Sequence, residues 1–195
     1  MTPSNISTIG TLGNNPNDVT CSILAAKSLG NIFKIAAYNE FELAAESLIG
    51  ENIDAMLVPG AYPNISKFIM NEQIAVMDVF TYIIPPLVFA SKKAQPNPQY
   101  DILYNHPATN PLLGDICKAK WTKQENVSSN TVACLKVLDS KQICCAITNA
   151  ACAEKYGLLI HQVIRDKINM PFVIFIKKHR SFLYNSNIGK PKKGG

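Results

Sequence analysis

The chain has 195 residues, 47% of them apolar and 17% charged, which suits one or two soluble globular lobes able to bury a sizeable core. Its net charge of +5 includes Lys190, Lys192 and Lys193 of the terminal run GKPKKGG, and removing those three leaves +2. A near-neutral body argues against a nucleic-acid groove, and the longest apolar stretch, IIPPLVFA, is broken by two prolines and far shorter than the ~20 residues of a membrane span.

In chain order, ISTIGTL reads as a strand, VTCSILAAKSL as a helix, IFKIAAY as a strand and EFELAAESLI as a helix. The second helix is well marked: Asn39 stands where an N-cap belongs, Glu42 three residues on completes a capping-box pattern, and Gly50 follows the last apolar residue. IDAMLVP then reads as a buried strand, nearly continuous in apolar residues, as in a parallel sheet covered on both faces. The fold class is α/β. The polar segment SKKAQPNPQ, with two prolines, interrupts the pattern and predicts a crossover.

A second α/β pass follows. YDILYN reads as a strand, NPLLGDICKAK and SNTVACLKVLDS as helices, QICCAIT as a buried strand and NAACAEKYG as a short helix closed by Gly157. NMPFVIFIKK is expected to be a return strand joining two lobes. The expected division is a first lobe over about 1–95 and 165–185, a second over about 98–164, and a flexible basic tail at 186–195. Two lobes with two crossings imply a cleft, and ligands of open α/β sheets sit beyond the carboxyl ends of strands, where helix N-termini present N–H groups.

The six cysteines lie mostly among Ala, Ile and Leu, no C-x-x-C pair exists, and the chain opens MTPSNISTIG without a basic, apolar export signal. A reduced, cytoplasmic location and buried thiols are expected. His106, His161 and His179 have no metal-ligand spacing to the cysteines, so no metal site is expected. Glycine-rich nucleotide motifs, a serine-hydrolase elbow and a zinc-protease motif are absent from the sequence. What recurs is a small hydroxyl or amide residue at strand-to-helix junctions: Thr20 and Ser22, His106 to Thr109, Ser128 to Thr131, and Thr148 with Asn149. Any one of them is explained by helix capping. Converging on one cleft, they would form donors for a small carboxylate ligand.

These junction segments resemble, in order, the motifs of the prephenate dehydratase family. TCSILAA is similar to its T-[FY]-S-x-x-A, DAMLVPGAYPN falls at its G-V-V-P-I-E-N-S, and YNHPATN resembles S-H-P-Q-A. SSNTVA resembles S-T-x-x-A, and AITNAACAEKYGL resembles A-A-I-A-S-x-x-A-A-x-x-Y-G-L. The resemblance covers nearly the whole chain and implies a two-lobed fold like that of periplasmic binding proteins. It departs where the family carries T-R-F, here Met170, Pro171 and Phe172, where E-N-S becomes Ala61, Tyr62 and Pro63, and where the glycine turn expands to GNNPNDV. Those departures resemble the branch that includes the prephenate decarboxylase of the bacilysin pathway.

The resemblance implies a cytoplasmic, homodimeric enzyme acting on prephenate, and no cofactor, nucleic-acid or membrane partner is expected. Dehydratases of the family carry a C-terminal regulatory domain, but the nineteen residues after Ile176 have too few apolar positions to form one, so phenylalanine is expected to leave activity unchanged. Losing the Thr-Arg pair removes the donor that would protonate the ring hydroxyl and makes that wall apolar, which favours decarboxylation without aromatisation, to a dihydro-4-hydroxyphenylpyruvate of secondary metabolism. Tyr62 and His106 are the proton-donor candidates, with packing for Tyr62 and capping or stacking for His106 left open. Substrate binding would fall to Thr20, Ser22, Thr109, Ser129, Asn130, Thr131, Thr148 and Asn149, with Met170 and Phe172 as the wall. A dehydratase yielding phenylpyruvate and a non-catalytic binding module of the same fold are the alternatives.

Overall fold

The computed structural model describes residues 6–30 and 33–178; the tail at 186–195, His179 and Arg180 lie outside them. The first strands and helices form where the apolar pattern predicts: β1 (Thr8–Leu12), α1 (Cys21–Ser28), β2 (Lys34–Tyr38), α2 (Phe41–Ile49) and β3 (Ala55–Pro59). They are followed by α3 (Ile65–Ile69) and two strands, β4 (Ile74–Ile84) and β5 (Leu87–Ser91). Next come β6 (Gln99–Asn105), a 3₁₀ segment (Pro107–Asp115), β7 (Lys120–Asn126), α4 (Asn130–Asp139), β8 (Cys144–Asn149), α5 (Ala150–Lys155), β9 (Leu159–Arg165) and β10 (Ile168–Lys177).

Two five-stranded sheets result, ordered β2-β1-β3-β10-β4 and β7-β6-β8-β5-β9. In each, three parallel strands are followed by an antiparallel fourth, β10 in the first sheet and β5 in the second. The first sheet is sandwiched between α1, whose Ala25 and Ala26 meet Ile9, Leu57 and Phe172, and the α2–α3 side, where Phe41, Leu48 and Phe68 meet Met56 and Phe175. α4 and α5 cover one face of the second sheet through Ala133, Val137 and Cys152.

The crossover differs from its expected place. β5 pairs with β8 and β9, so the chain leaves the first lobe at Pro85 and Pro86 and not in SKKAQPNPQ, which is a loop inside the second lobe. Two prolines lack the N–H groups that a continuing ladder would use, and there one long extended run is cut into two strands of different sheets. The chain comes back between Arg165 and Ile168.

Two local expectations are also corrected. α2 is N-capped by Glu40 without a side-chain bond, so Asn39 and Glu42 form no capping box; the Glu42 carboxylate accepts from the Tyr62 hydroxyl instead. The stretch 110–120 is no α-helix: the chain winds as 3₁₀ from Pro107 to Asp115, so that Pro111 lies inside the segment, and is irregular from there to β7. Its end runs into β7, an edge strand whose charged residues keep an exposed edge from pairing further. Gly157 does close α5, at φ 65°, where a side chain would be strained.

Candidate active site

Between the lobes lies a cleft of roughly 870 Å³ of empty space, partly open to solvent, and the first turns of α1 and α4 and the 3₁₀ segment all face it. Thr20 caps α1: its hydroxyl accepts from the Ile23 N–H at 3.2 Å and donates to the Leu12 carbonyl at 2.8 Å. Ser129 caps α4 by accepting from the Val132 N–H at 3.1 Å. A first helical turn has no intrahelical acceptors for its N–H groups, and the helix dipole adds partial positive charge there. Both helix N-termini therefore lend the cleft partial positive charge, although among the described residues no Lys or Arg lines it.

His106 begins the 3₁₀ segment. Its Nδ1 accepts from the Ala108 N–H at 3.1 Å, which assigns the proton of the neutral ring to Nε2. Burial lowers its pKa below the ordinary histidine value. The turn is braced from beneath by Asn105, fully buried, whose amide donates to the His106 carbonyl, the Thr109 hydroxyl and Asn110 Oδ1 and whose carbonyl accepts from Gln124. Thr109 in turn donates to the His106 carbonyl at 2.7 Å.

Tyr62 lines the opposite side. Its hydroxyl donates to Glu42 at 2.8 Å, and its ring packs edge-on against Phe41 at 4.7 Å and stacks on Phe68. Partial burial and that carboxylate bond push its pKa up to about 12, so it keeps its proton. Cys21, at the start of α1, also lines the cleft, and burial raises its thiol to about 11 although the Asn149 and Asn130 amides work the other way; a thiol so held is a poor nucleophile.

The structure brings together Thr20, Ser22, Tyr62, His106, Thr109, Ser129, Asn130, Met170 and Phe172. It does not bring Thr131, Thr148 or Asn149 to the cleft. Thr131 donates to Asp18 at 2.6 Å, Thr148 donates to the Asn130 carbonyl at 3.0 Å, and Asn149 caps α5 and reaches the Val19 carbonyl. All three are fully buried, and buried polar groups are satisfied by such internal partners. Pro171 is a further correction: side chains alternate along a strand, so Met170 and Phe172 face the cleft while Pro171 turns away and crowds Gly60, where a Cβ would come within 2.9 Å of the proline ring. Reasoning from sequence missed Asn105, whose only signal was the NHP string, and Asp18, hidden in a loop.

No family model matches the chain. It is 30% identical over 148 residues to a prephenate decarboxylase of Planktothrix agardhii, covering 72% of this chain and 71% of that one. The chain belongs to the prephenate dehydratase-like family. Solved structures show the same fold: prephenate dehydratase from Arthrobacter aurescens, crystallised with L-Phe, at TM-score 0.63 and 14% identity, covering 87% of this chain and 60% of that one; and the dehydratase of Staphylococcus aureus at 0.57 and 12%, covering 87% and 66%. The chain spans about 60% of the Arthrobacter protein's length. A periplasmic substrate-binding protein from Coxiella burnetii matches at 0.54 and 14%, covering 89% and 86%, so the two-lobed α/β architecture of family members is the binding-protein fold.

Proposed function

We propose that the protein decarboxylates prephenate without aromatising it, leaving a dihydro-4-hydroxyphenylpyruvate. The observation that carries this reading is the apolar wall formed by Ile84, Leu87, Ile168, Met170 and Phe172 on one side of a cleft whose donors are helix N-termini and one imidazole. The 30% identical relative named a prephenate decarboxylase supports it. The substrate's two carboxylates need donors, and the first turns of α1 and α4 supply them. A carboxylate against an apolar wall is poorly solvated, whereas the charge spreads into the ring as CO2 leaves, so the wall favours the transition state over the ground state.

When the carbon–carboxylate bond breaks, its electron pair enters the ring and a ring carbon takes a proton; the ring hydroxyl stays. His106 is the donor in this reading. Delivering a proton to carbon requires its imidazolium form, which surrenders the Nδ1 bond to Ala108, and the bound carboxylates are the opposite charge that favours that form. The Tyr62 proton is held by Glu42, so Tyr62 shapes the cleft. Placement of the product in secondary metabolism, a cytoplasmic location and a homodimer remain part of the same proposal.

The test is to mix purified protein with prephenate and follow the ultraviolet spectrum and CO2 release. A non-aromatic product with one CO2 per substrate is expected. Phenylpyruvate absorbance would make the protein a dehydratase, and no spectral change would make it a binding module.

A further inference from the structure

The expanded turn GNNPNDV has no part in the cleft wall, yet it is bonded directly to the second lobe. Asp18 is fully buried. Its carboxylate accepts from the Val19 N–H at 2.9 Å and the Asn14 N–H at 3.1 Å within its own loop, and from the Thr131 hydroxyl of α4 at 2.6 Å across the lobe boundary. Lys155 of α5 stands 4.0 Å from the same carboxylate and donates to the Asn17 carbonyl at 2.9 Å. Asn149 donates to the Val19 carbonyl at 3.0 Å, and Asn130 reaches the Cys21 sulfur at 3.5 Å.

These bonds join the residues just before α1 to the first turn of α4, the two helix N-termini that line the cleft side by side. We propose that Asp18 is a positioning residue: with Thr131 it clamps the lobes at their closed angle before any ligand arrives. Two-lobed folds otherwise hinge shut around a ligand and use part of its binding energy to do so. A buried carboxylate bound from both lobes has only one lobe angle that satisfies its partners, because hydrogen bonds to a charged acceptor are strong and geometrically demanding. Closure is then encoded in the loop, and Thr131, set aside as a ligand, serves the site through its geometry.

The experiment compares the wild type with Thr131→Val and Asp18→Asn by small-angle X-ray scattering, without ligand and with saturating prephenate, alongside steady-state kinetics. The wild type is expected to show the same radius of gyration in both states. Thr131→Val, nearly isosteric, is expected to expand without ligand and contract on binding, with KM raised about tenfold or more, the usual scale for a bond to a charged acceptor, and kcat within about threefold. A double variant is expected to be no worse than the more affected single one. The proposal falls if the wild type contracts on binding as much as Thr131→Val does, or if Thr131→Val matches the wild type in both scattering and KM. Should Asp18→Asn fail to fold, Thr131→Val carries the test alone. The unliganded scattering needs no turnover, so its outcome is separate from that of the decarboxylase reading.

Discussion

The two lobes share one strand order, but they present different chemistry to the cleft from corresponding places. After its first strand the first lobe inserts α1, an α-helix capped by Thr20 whose opening N–H groups face the ligand space. The second lobe inserts a 3₁₀ segment capped by a histidine. After the second strand the relation reverses: α4 is capped by Ser129 through a 3.1 Å bond, while α2 has no side-chain cap and sits beside the Glu42–Tyr62 pair. One topology thus presents α-helix N-termini to the cleft twice and an imidazole once. Duplicated architecture fixes where a site lies; capping chemistry fixes what it does there.

Replacing His106 is expected to break this asymmetry most severely. His106→Gln should lower kcat by about 10²–10⁴-fold, the range for loss of a general acid, while Tyr62→Phe should cost less than about tenfold because its proton is held by Glu42. Steady-state kinetics on both variants checks this, and equal losses would assign the proton elsewhere. The pH profile sharpens it. The imidazole pKa is lowered by burial, and the acid must be protonated to act, so kcat/KM should fall as pH rises through that lowered value, by up to about tenfold per pH unit, and the dependence should vanish in His106→Gln.

Stability should run the other way. A histidine pKa depressed in the folded state means that the unfolded chain takes up the proton first. The contribution is therefore complete above about pH 6.5, the unfolded value, and is lost as pH falls toward the folded pKa. Thermal unfolding of wild type and His106→Gln between pH 5 and 8, on the scale of about those ordinary histidine values, should show the gap between them narrow in acid.

Asn105→Ala comes next. It strips the support beneath His106 and leaves Gln124 and Asn110 with a lost partner, for a stability loss of about 1–3 kcal/mol, read by denaturant unfolding. Ser129→Ala removes a cap worth about 1 kcal/mol and should lower Tm by about 2–4 °C for a chain of this size; a much larger loss would mean that Ser129 does more than cap α4. The smallest effect is a change of product. Met170→Thr alone returns a hydroxyl to the apolar wall and should yield a detectable trace of phenylpyruvate by chromatography, whereas Pro171→Arg should not, because residue 171 faces away from the cleft.

Much of this was legible in the linear sequence. Periodicity located β1 to β3, α1, α2, β6, α4, β8 and α5, because each buries an apolar face and periodicity records burial. Three of the four strand-to-helix junctions singled out, those of α1, the 3₁₀ segment and α4, line the cleft, and they were legible because N-caps are local and use few residue types. Glu42 misled for the same reason: its spacing from Asn39 satisfied a local rule, while the bond it makes is to a tyrosine twenty residues away. β4, β5, β7 and β9 escaped notice: β4, β7 and β9 are edge strands that bury too little to imprint a clean pattern, and β5, buried inside its sheet, is joined to β4 across two prolines in one apolar run.

By itself, then, the sequence determined the α/β class, the first three strands and two helices, and the family, since these follow from local preference and from motif order along the chain. Tertiary structure alone decided which hydroxyl and amide groups meet the ligand space and which brace the lobes. Ser129 and Thr131 stand two residues apart in one motif, yet one caps a helix at the cleft and the other binds Asp18 from the opposite lobe. A hydrogen-bonding side chain takes whichever partner the fold places within about 3 Å, and that partner can be more than a hundred residues away.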